Sequence, residues 1–321
     1  MQKYQYFCFG LFITLAAACQ PHRPGVIDFH PQTRGKGVIY GEDNRLDLYQ
    51  VQNQFHLTLA DSTVALFEAS MLSETSAGKI EIQGESLGEA YRLCEDEPFR
   101  EQNSSAFCSG LLIAPDLILT AGHCVRSQNS CEDTRFVFGY GVFVRNEPPS
   151  LVPATEVYKC HKLVHSQMSP DGADFALVRL DRPVQKHRPL TINENSQIQQ
   201  GDPLLIIGHP AGLPTKISDG ATVRRATERS FFVANLDSYG GNSGSAVFNA
   251  LNGKVEGILV RGDQDFVRRG NCNVSHRCAD EGCRGEDVTR MSEILPYFPG
   301  SGPEKPALAS FLTSLMDLNK R

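Results

Sequence analysis

From Ser62 onward the apolar positions of this chain repeat at the short period of strands. Val64-Ala65-Leu66-Phe67, the two runs within Phe107 to Leu119 broken at Ala114-Pro115-Asp116, Phe136 to Tyr140, Thr155 to Val164 and Phe175 to Leu180 each predict a strand. A second series follows in Pro203 to Ile207, Ala221 to Arg225, Phe231 to Leu236, Gly244 to Asn249 and Val255 to Val260. Many short strands divided by turn residues predict an all-β barrel architecture. The polar stretch Asp181 to Gln200, with Pro183 and Pro189, predicts the crossover, so the reading places a first barrel over 62–190 and a second over 191–300. Within the first, Met71 to Asn103 is polar and Glu- and Gly-rich, an excursion from the barrel that Cys94 ties down.

The ends depart from this period. Leu308, Phe311, Leu312, Leu315 and Leu318 recur at helical spacing and predict a C-terminal helix within 301–321. At the other end Lys3 precedes an apolar run that finishes Leu15-Ala16-Ala17-Ala18-Cys19. The run is too short for a comfortable membrane span and has the layout of an export signal over 1–19. Residues 20–61 read as an N-terminal extension or propeptide. Small residues followed by cysteine also resemble a bacterial lipobox, in which lipidation of Cys19 would attach the chain to a membrane. Ordinary signal-peptidase cleavage after Ala18 is the alternative, and either reading exports the chain to the periplasm or outer membrane as a lipoprotein, or into the medium.

Cysteine usage changes the picture in the same direction. Of ten cysteines, Cys8 and Cys19 fall in the signal, and the even remainder argues for disulfides in an exported protein. With 321 residues, 40% hydrophobic and 21% charged, the chain can fill two small barrels. A net charge of −6 provides no basic footprint for nucleic acid. His161 and His165 sit four apart on a predicted strand without a third ligand, and no metal is expected there. Cys272, Cys278 and Cys283 with His276 lack the Cys-x-x-Cys knuckle of structural zinc, and export favours disulfides. No cofactor is expected.

Candidate chemistry lies in three blocks. A serine between glycines, in Gly240-Gly241-Asn242-Ser243-Gly244-Ser245, suits nucleophilic acyl transfer, because the turn bares the hydroxyl and aims the amides of Gly241 and Ser243 at one point that would hold an oxyanion. Upstream are Thr120-Ala121-Gly122-His123-Cys124 and Asp174-Phe175-Ala176-Leu177-Val178-Arg179-Leu180. Histidine, aspartate, serine is the chain order of the chymotrypsin-type triad. In these blocks the chain resembles the trypsin-like serine peptidases over roughly Val38 to Phe298, and around Ser243 it is similar to their bacterial glutamyl-endopeptidase branch. The resemblance implies two antiparallel Greek-key β-barrels of chymotrypsin type closed by a C-terminal helix. It also implies His123 as base, Asp174 as its orienting acid, Ser243 as nucleophile, and a Cys108–Cys124 disulfide beside the base. The other six cysteines allow fifteen pairings. His209, in a Gly-aromatic-Pro turn, is expected to be structural.

The resemblance also bears on activation and specificity. Val38-Ile39-Tyr40-Gly41-Glu42-Asp43-Asn44-Arg45 looks like the start of mature glutamyl endopeptidases, with Lys36-Gly37 before it as a processing site; an uncut first segment is equally open. Asn242 cannot form the ion pair by which a new amino terminus activates animal zymogens. Asp237, six places before Ser243, and Ser238 match the trypsin pattern for a pocket that takes Arg or Lys, while Leu259 stands where glutamyl endopeptidases carry histidine. Arg261 is placed to reach Asp237 and neutralise it, and Asp237 as a mere turn cap is the alternative. The expected partner is a protein or peptide, paired along Val255 to Val260. A binding or adhesion protein on the same fold, or an esterase using the same triad, are the other readings.

Overall fold

The structure is a computed structural model that describes residues 38–195 and 197–299. The export signal with Cys19 and the helix expected within 301–321 lie outside the described residues. The expected two barrels are present, each of six antiparallel strands. The first is built from β1 (Thr63–Glu68), β2 (Cys108–Ala114), β3 (Leu117–Thr120), β4 (Thr134–Phe138), β5 (Val157–Met168) and β6 (Asp174–Leu180), closed in the order β5-β6-β3-β2-β1-β4. The second uses β7 (Pro203–Gly208), β8 (Lys216–Arg225), β9 (Phe231–Ala234), β10 (Ala246–Asn249), β11 (Val255–Arg261) and β12 (Glu286–Arg290), in the order β7-β10-β11-β12-β9-β8, with β8 returning to pair with β7. The chain ends its described part in one short helix, Met291–Ile294.

Runs that read as continuously apolar are strands buried on both faces. In β1, Val64 and Leu66 enter one core cluster while Ala65 and Phe67 enter another, beneath a small sheet of Leu72–Glu74, Lys79–Ile82 and Leu151–Pro153. In β7, Leu204 and Ile206 fill the second barrel, whereas Leu205 and Ile207 join the first barrel's residues in the cluster between the two. That shared apolar layer fixes one barrel against the other, and the cleft between them inherits its rigidity.

The stretch before the first barrel is more than an extension. Ile39–Tyr40 pairs parallel with Arg277–Cys278, and Arg45–Asp47 adds a short antiparallel strand to β8. Its polar residues are buried in pairs: Lys216 Nζ lies 2.6 Å from Asp47 Oδ1, and Arg45 2.7 Å from Asp43. Burial pushes the Lys216 ammonium down to about 8 against the pull of Asp47. Pairing allows the charges of this stretch to be interior.

Four disulfides join Cys94 to Cys272, Cys108 to Cys124, Cys131 to Cys160 and Cys278 to Cys283. The first ties the 71–103 excursion to the hairpin of Phe266–Arg269 and Cys272–Ser275. The last occupies both sulfurs nearest His276. His165 is packed between the rings of Phe175 and Tyr297.

Candidate active site

Ser243 stands on a turn that only this sequence pattern permits. Gly244 has φ +88°, and a Cβ there would lie 2.1 Å from the Ser109 carbonyl, so no side chain fits. The turn is braced from inside by Asn242, which accepts from Ser245 Oγ at 2.7 Å and donates to Ser238 Oγ at 3.1 Å. Strand β11 runs alongside, with Gly244 N donating to the Leu259 carbonyl at 2.8 Å and Leu259 N to the Ser245 carbonyl at 3.0 Å.

Two peptide planes fix the directions of the Gly241 and Ser243 amides. The Gly240 carbonyl accepts from Ala211 N at 2.5 Å, and the Asn242 carbonyl from Ser245 N at 2.9 Å. In a trans peptide the N–H points opposite to the C=O, so the amides of Gly241 and Ser243 are directed away from those partners. Neither donates to a group among the described residues. Such a pair of unspent donors is what a developing oxyanion requires.

His123 follows β3, and Asp174 opens β6, the strand paired with β3. The Asp174 carboxylate holds the histidine at two points, Oδ2 at 2.8 Å from Nδ1 and Oδ1 accepting the backbone N–H at 3.0 Å. With Nδ1 so engaged, Nε2 is the nitrogen left to exchange a proton. Asp174 is itself anchored from the second barrel by Thr289, whose Oγ1 lies 3.2 Å from its amide. The Cys108–Cys124 bridge sits beside the base, and Cys124 Sγ lies 3.8 Å from the Ser243 carbonyl, which places the nucleophile loop next to His123. The Ser243 hydroxyl makes no hydrogen bond among the described residues; apo sites of this kind often tighten only around substrate.

Sequence reasoning missed Ser109 and Thr289. Ser109, fully buried on β2, donates through N to the Ser243 carbonyl at 2.8 Å and through Oγ to the Gly241 carbonyl at 3.0 Å, and accepts from His209 N at 2.9 Å. It ties the first barrel to the nucleophile turn. An isolated serine in an apolar strand carries no signal in sequence, since its partners lie more than a hundred positions away. His209 is structural: buried against Tyr140, it donates from Nδ1 to the Leu213 carbonyl at 3.0 Å, and burial pushes it down to about 3, so it stays neutral.

The expected specificity residues are all buried. Asp237 Oδ1 accepts from Tyr40 N at 2.8 Å and Oδ2 from Asn44 N at 2.9 Å, and burial pushes its carboxyl up to about 6. Ser238 braces Asn242, and Leu259 packs into the second barrel. The expectation that Arg261 reaches Asp237 is corrected. Arg261 turns to the buried Asp287 at 3.0 Å and to the half-buried carbonyls of Ser169 and Gly172. A further acid touches the turn, Asp265, whose oxygens both lie 3.1 Å from Gly240 N, while Glu286, fully buried on β12, accepts from Asp263 N at 3.4 Å.

Residues 108–258 match the family model of the trypsin-like peptidase domain. The chain is 30% identical over 199 residues to a probable serine protease of Lysobacter enzymogenes, covering 54% of this chain and 30% of that protein. It is 35% identical over 80 residues to chymotrypsin-like elastase family member 3A of Homo sapiens, covering 24% of this chain and 28% of that protein. The chain thus spans under a third of the length of these curated relatives. Among solved structures it is similar to a Glu endopeptidase in complex with MPD, at 19% identity and a TM-score of 0.47, covering 80% of this chain and 96% of that one.

Proposed function

From the premise that the chain carries a trypsin-like serine peptidase domain, we propose that it is an endopeptidase in which Ser243, His123 and Asp174 hydrolyse peptide bonds through an acyl-enzyme. The observation that carries this reading is the double hold of Asp174 on His123 beside the turn that presents Ser243. Ser243 Oγ attacks the scissile carbonyl carbon while His123 Nε2 takes its proton. Asp174 stabilises the imidazolium, and the amides of Gly241 and Ser243 receive the oxyanion. His123 then gives the proton to the leaving amine, and water repeats the sequence to release the acid. The expected pairing of substrate along Val255 to Val260 is set aside, because β11 is bonded on both of its edges, to β10 and to β12.

Cleavage after Arg or Lys is the specificity this reading takes. It is supported by the acidic side chains Asp237 and Asp265 beside the nucleophile turn and by the engagement of Arg261 elsewhere. The four disulfides fit an exported chain, and among the described residues no helix is long and apolar enough to cross a membrane. The proposal includes export through residues 1–19, with a lipid on Cys19 as the membrane attachment.

Fluorogenic peptides that differ only in Arg, Lys, Glu or Phe before the scissile bond test the reading, with Ser243→Ala as control. Turnover after Arg or Lys that the control abolishes is the expected result. Hydrolysis of simple esters without any peptide would replace the endopeptidase by an esterase, and no turnover of either would leave a binding protein.

A further inference from the structure

Resting on the peptidase reading, we infer that Ser104 is a positioning residue for the oxyanion hole: its hydroxyl holds Ala211 in a left-handed conformation, and Ala211 in turn holds the Gly240–Gly241 peptide with its N–H toward the oxyanion. The need for such a hold begins in the sequence. A peptide flanked by two glycines has no Cβ to hinder its rotation, and a half-turn would put the Gly240 carbonyl where the Gly241 N–H should stand. A peptide so flipped would present an oxygen to the developing anion and leave only the Ser243 amide to receive it.

The peptide is fixed from outside the nucleophile turn. The Gly240 carbonyl accepts from Ala211 N at 2.5 Å, and Gly240 N lies 3.1 Å from both oxygens of Asp265. Gly241, at φ +84°, sits so close to the 209–213 loop that a Cβ on it would come 2.8 Å from Gly212 N. The direction of the Ala211 amide therefore decides which way the Gly240 carbonyl points, and with it the Gly241 N–H. Ala211 has φ 52° and ψ 27°, the left-handed region that a residue with a Cβ adopts only when its surroundings compel it.

The compelling contacts come from residues 103–106, which lead out of the polar 71–103 excursion into β2. Ser104 Oγ donates to the Ala211 carbonyl at 2.5 Å, and the amides of Ser105 and Ala106 each donate to the Gly212 carbonyl at 3.2 Å. This segment is itself tied down: Ser104 N donates to the Glu85 carbonyl at 2.9 Å, and the Tyr140 hydroxyl to the Asn103 carbonyl at 2.9 Å. The near end of the 209–213 loop is set by His209 N, which donates to Ser109 Oγ at 2.9 Å. Among the described residues Ser104 Oγ is the one side-chain group bonded to Ala211. Relaxation of Ala211 to a right-handed or extended conformation would turn its carbonyl away from that hydroxyl, so the bond favours the strained conformer alone.

The test uses the full chain and whichever of the Arg, Lys, Glu or Phe peptides the wild type cleaves fastest, with active sites counted by end-point labelling with a serine-directed fluorophosphonate. Ser104→Ala should lower kcat on the order of 10-fold at unchanged KM, as for loss of one hydrogen bond, short of the roughly 10²–10³-fold that removal of an oxyanion donor costs. Binding of a trifluoromethyl ketone built on that peptide should weaken in parallel: Ser243 Oγ adds to its carbonyl carbon, the proton passes to His123 Nε2, and the ketone oxygen becomes an anion in the hole. In the Ala211→Gly chain, where a left-handed φ carries no penalty, the same Ser104→Ala change should cost less than about 2-fold. Full kcat in Ser104→Ala, a loss confined to KM, or an equal loss in the Ala211→Gly chain overturns the inference and leaves the peptidase standing. A folded wild type that cleaves no peptide removes the peptidase reading, and this inference with it.

Discussion

Asp174 grips His123 at two points: Oδ2 fixes the ring at Nδ1, and the backbone N–H of His123 fixes the carboxylate that holds it. On the proposed mechanism Ser243, His123 and Asp174 act as a unit. Ser243→Ala and His123→Ala should each lower turnover by on the order of 10⁶, and the double variant by no more than either alone. Stopped assays of the three variants against wild type check this; additive losses would mean independent roles. Asp237 allows a second prediction at this scale. Burial holds its carboxyl up at about 6 against 3.8 for the free group, so between those values the folded chain keeps a proton that the unfolded chain releases. The associated stability is complete below the unfolded value and is lost as pH rises through about 6. Urea unfolding at about pH 4 and about pH 7 should show wild type losing more stability over that interval than Asp237→Asn, and equal losses would contradict it. His123, Asp174 and Ser243 were legible because each sits in a contiguous motif. Ser109 and Thr289 were not, since one is a lone polar residue in an apolar strand and the other one of several polar residues in a mixed strand, and both acquire meaning only from partners folded beside them.

Among the elements, the strands declared themselves by period, and where both faces were buried, as in β1 and β7, an unbroken apolar run still marked them. The 38–50 segment did not, because its buried apolar residues Val38, Ile39 and Tyr40 form too short a run to show a period and the buried side chains that follow, Arg45 and Asp47, are charged. Its pair Lys216–Asp47 predicts an asymmetry: Asp47→Ala, which strands the buried ammonium, should cost about 3–5 kcal/mol, whereas replacing both partners by Met and Leu should cost far less. Chemical denaturation of the two variants checks it, and equal losses would contradict it. The disulfides differ in the loop each closes. Chain-entropy reasoning gives about 5 kcal/mol for the Cys94–Cys272 bridge, 178 residues apart, against about 2 kcal/mol for Cys278–Cys283, 5 apart. Paired Cys→Ser variants should unfold in that order of stability, and the reverse order would show that native packing, not the closed loop, decides. Sequence spacing could not choose these pairings, because strand order in space sets which sulfurs meet.

For the whole molecule, two barrels share one apolar layer, and the proposed chemistry lies where they meet: His123 and Asp174 come from the first, Ser243 and the anchoring Thr289 from the second. Motif order predicted that division, but not the cross-ties through Ser109 that hold the halves in register. The central claim is that this assembly activates Ser243 as a nucleophile. The most direct measurement is mass spectrometry of the disulfide-bonded protein after a serine-directed fluorophosphonate. One adduct on the peptide containing Ser243, absent in Ser243→Ala and formed far more slowly in His123→Ala, is the predicted result. A folded protein with its four disulfides intact that takes no label, or that labels equally without His123, would contradict the account.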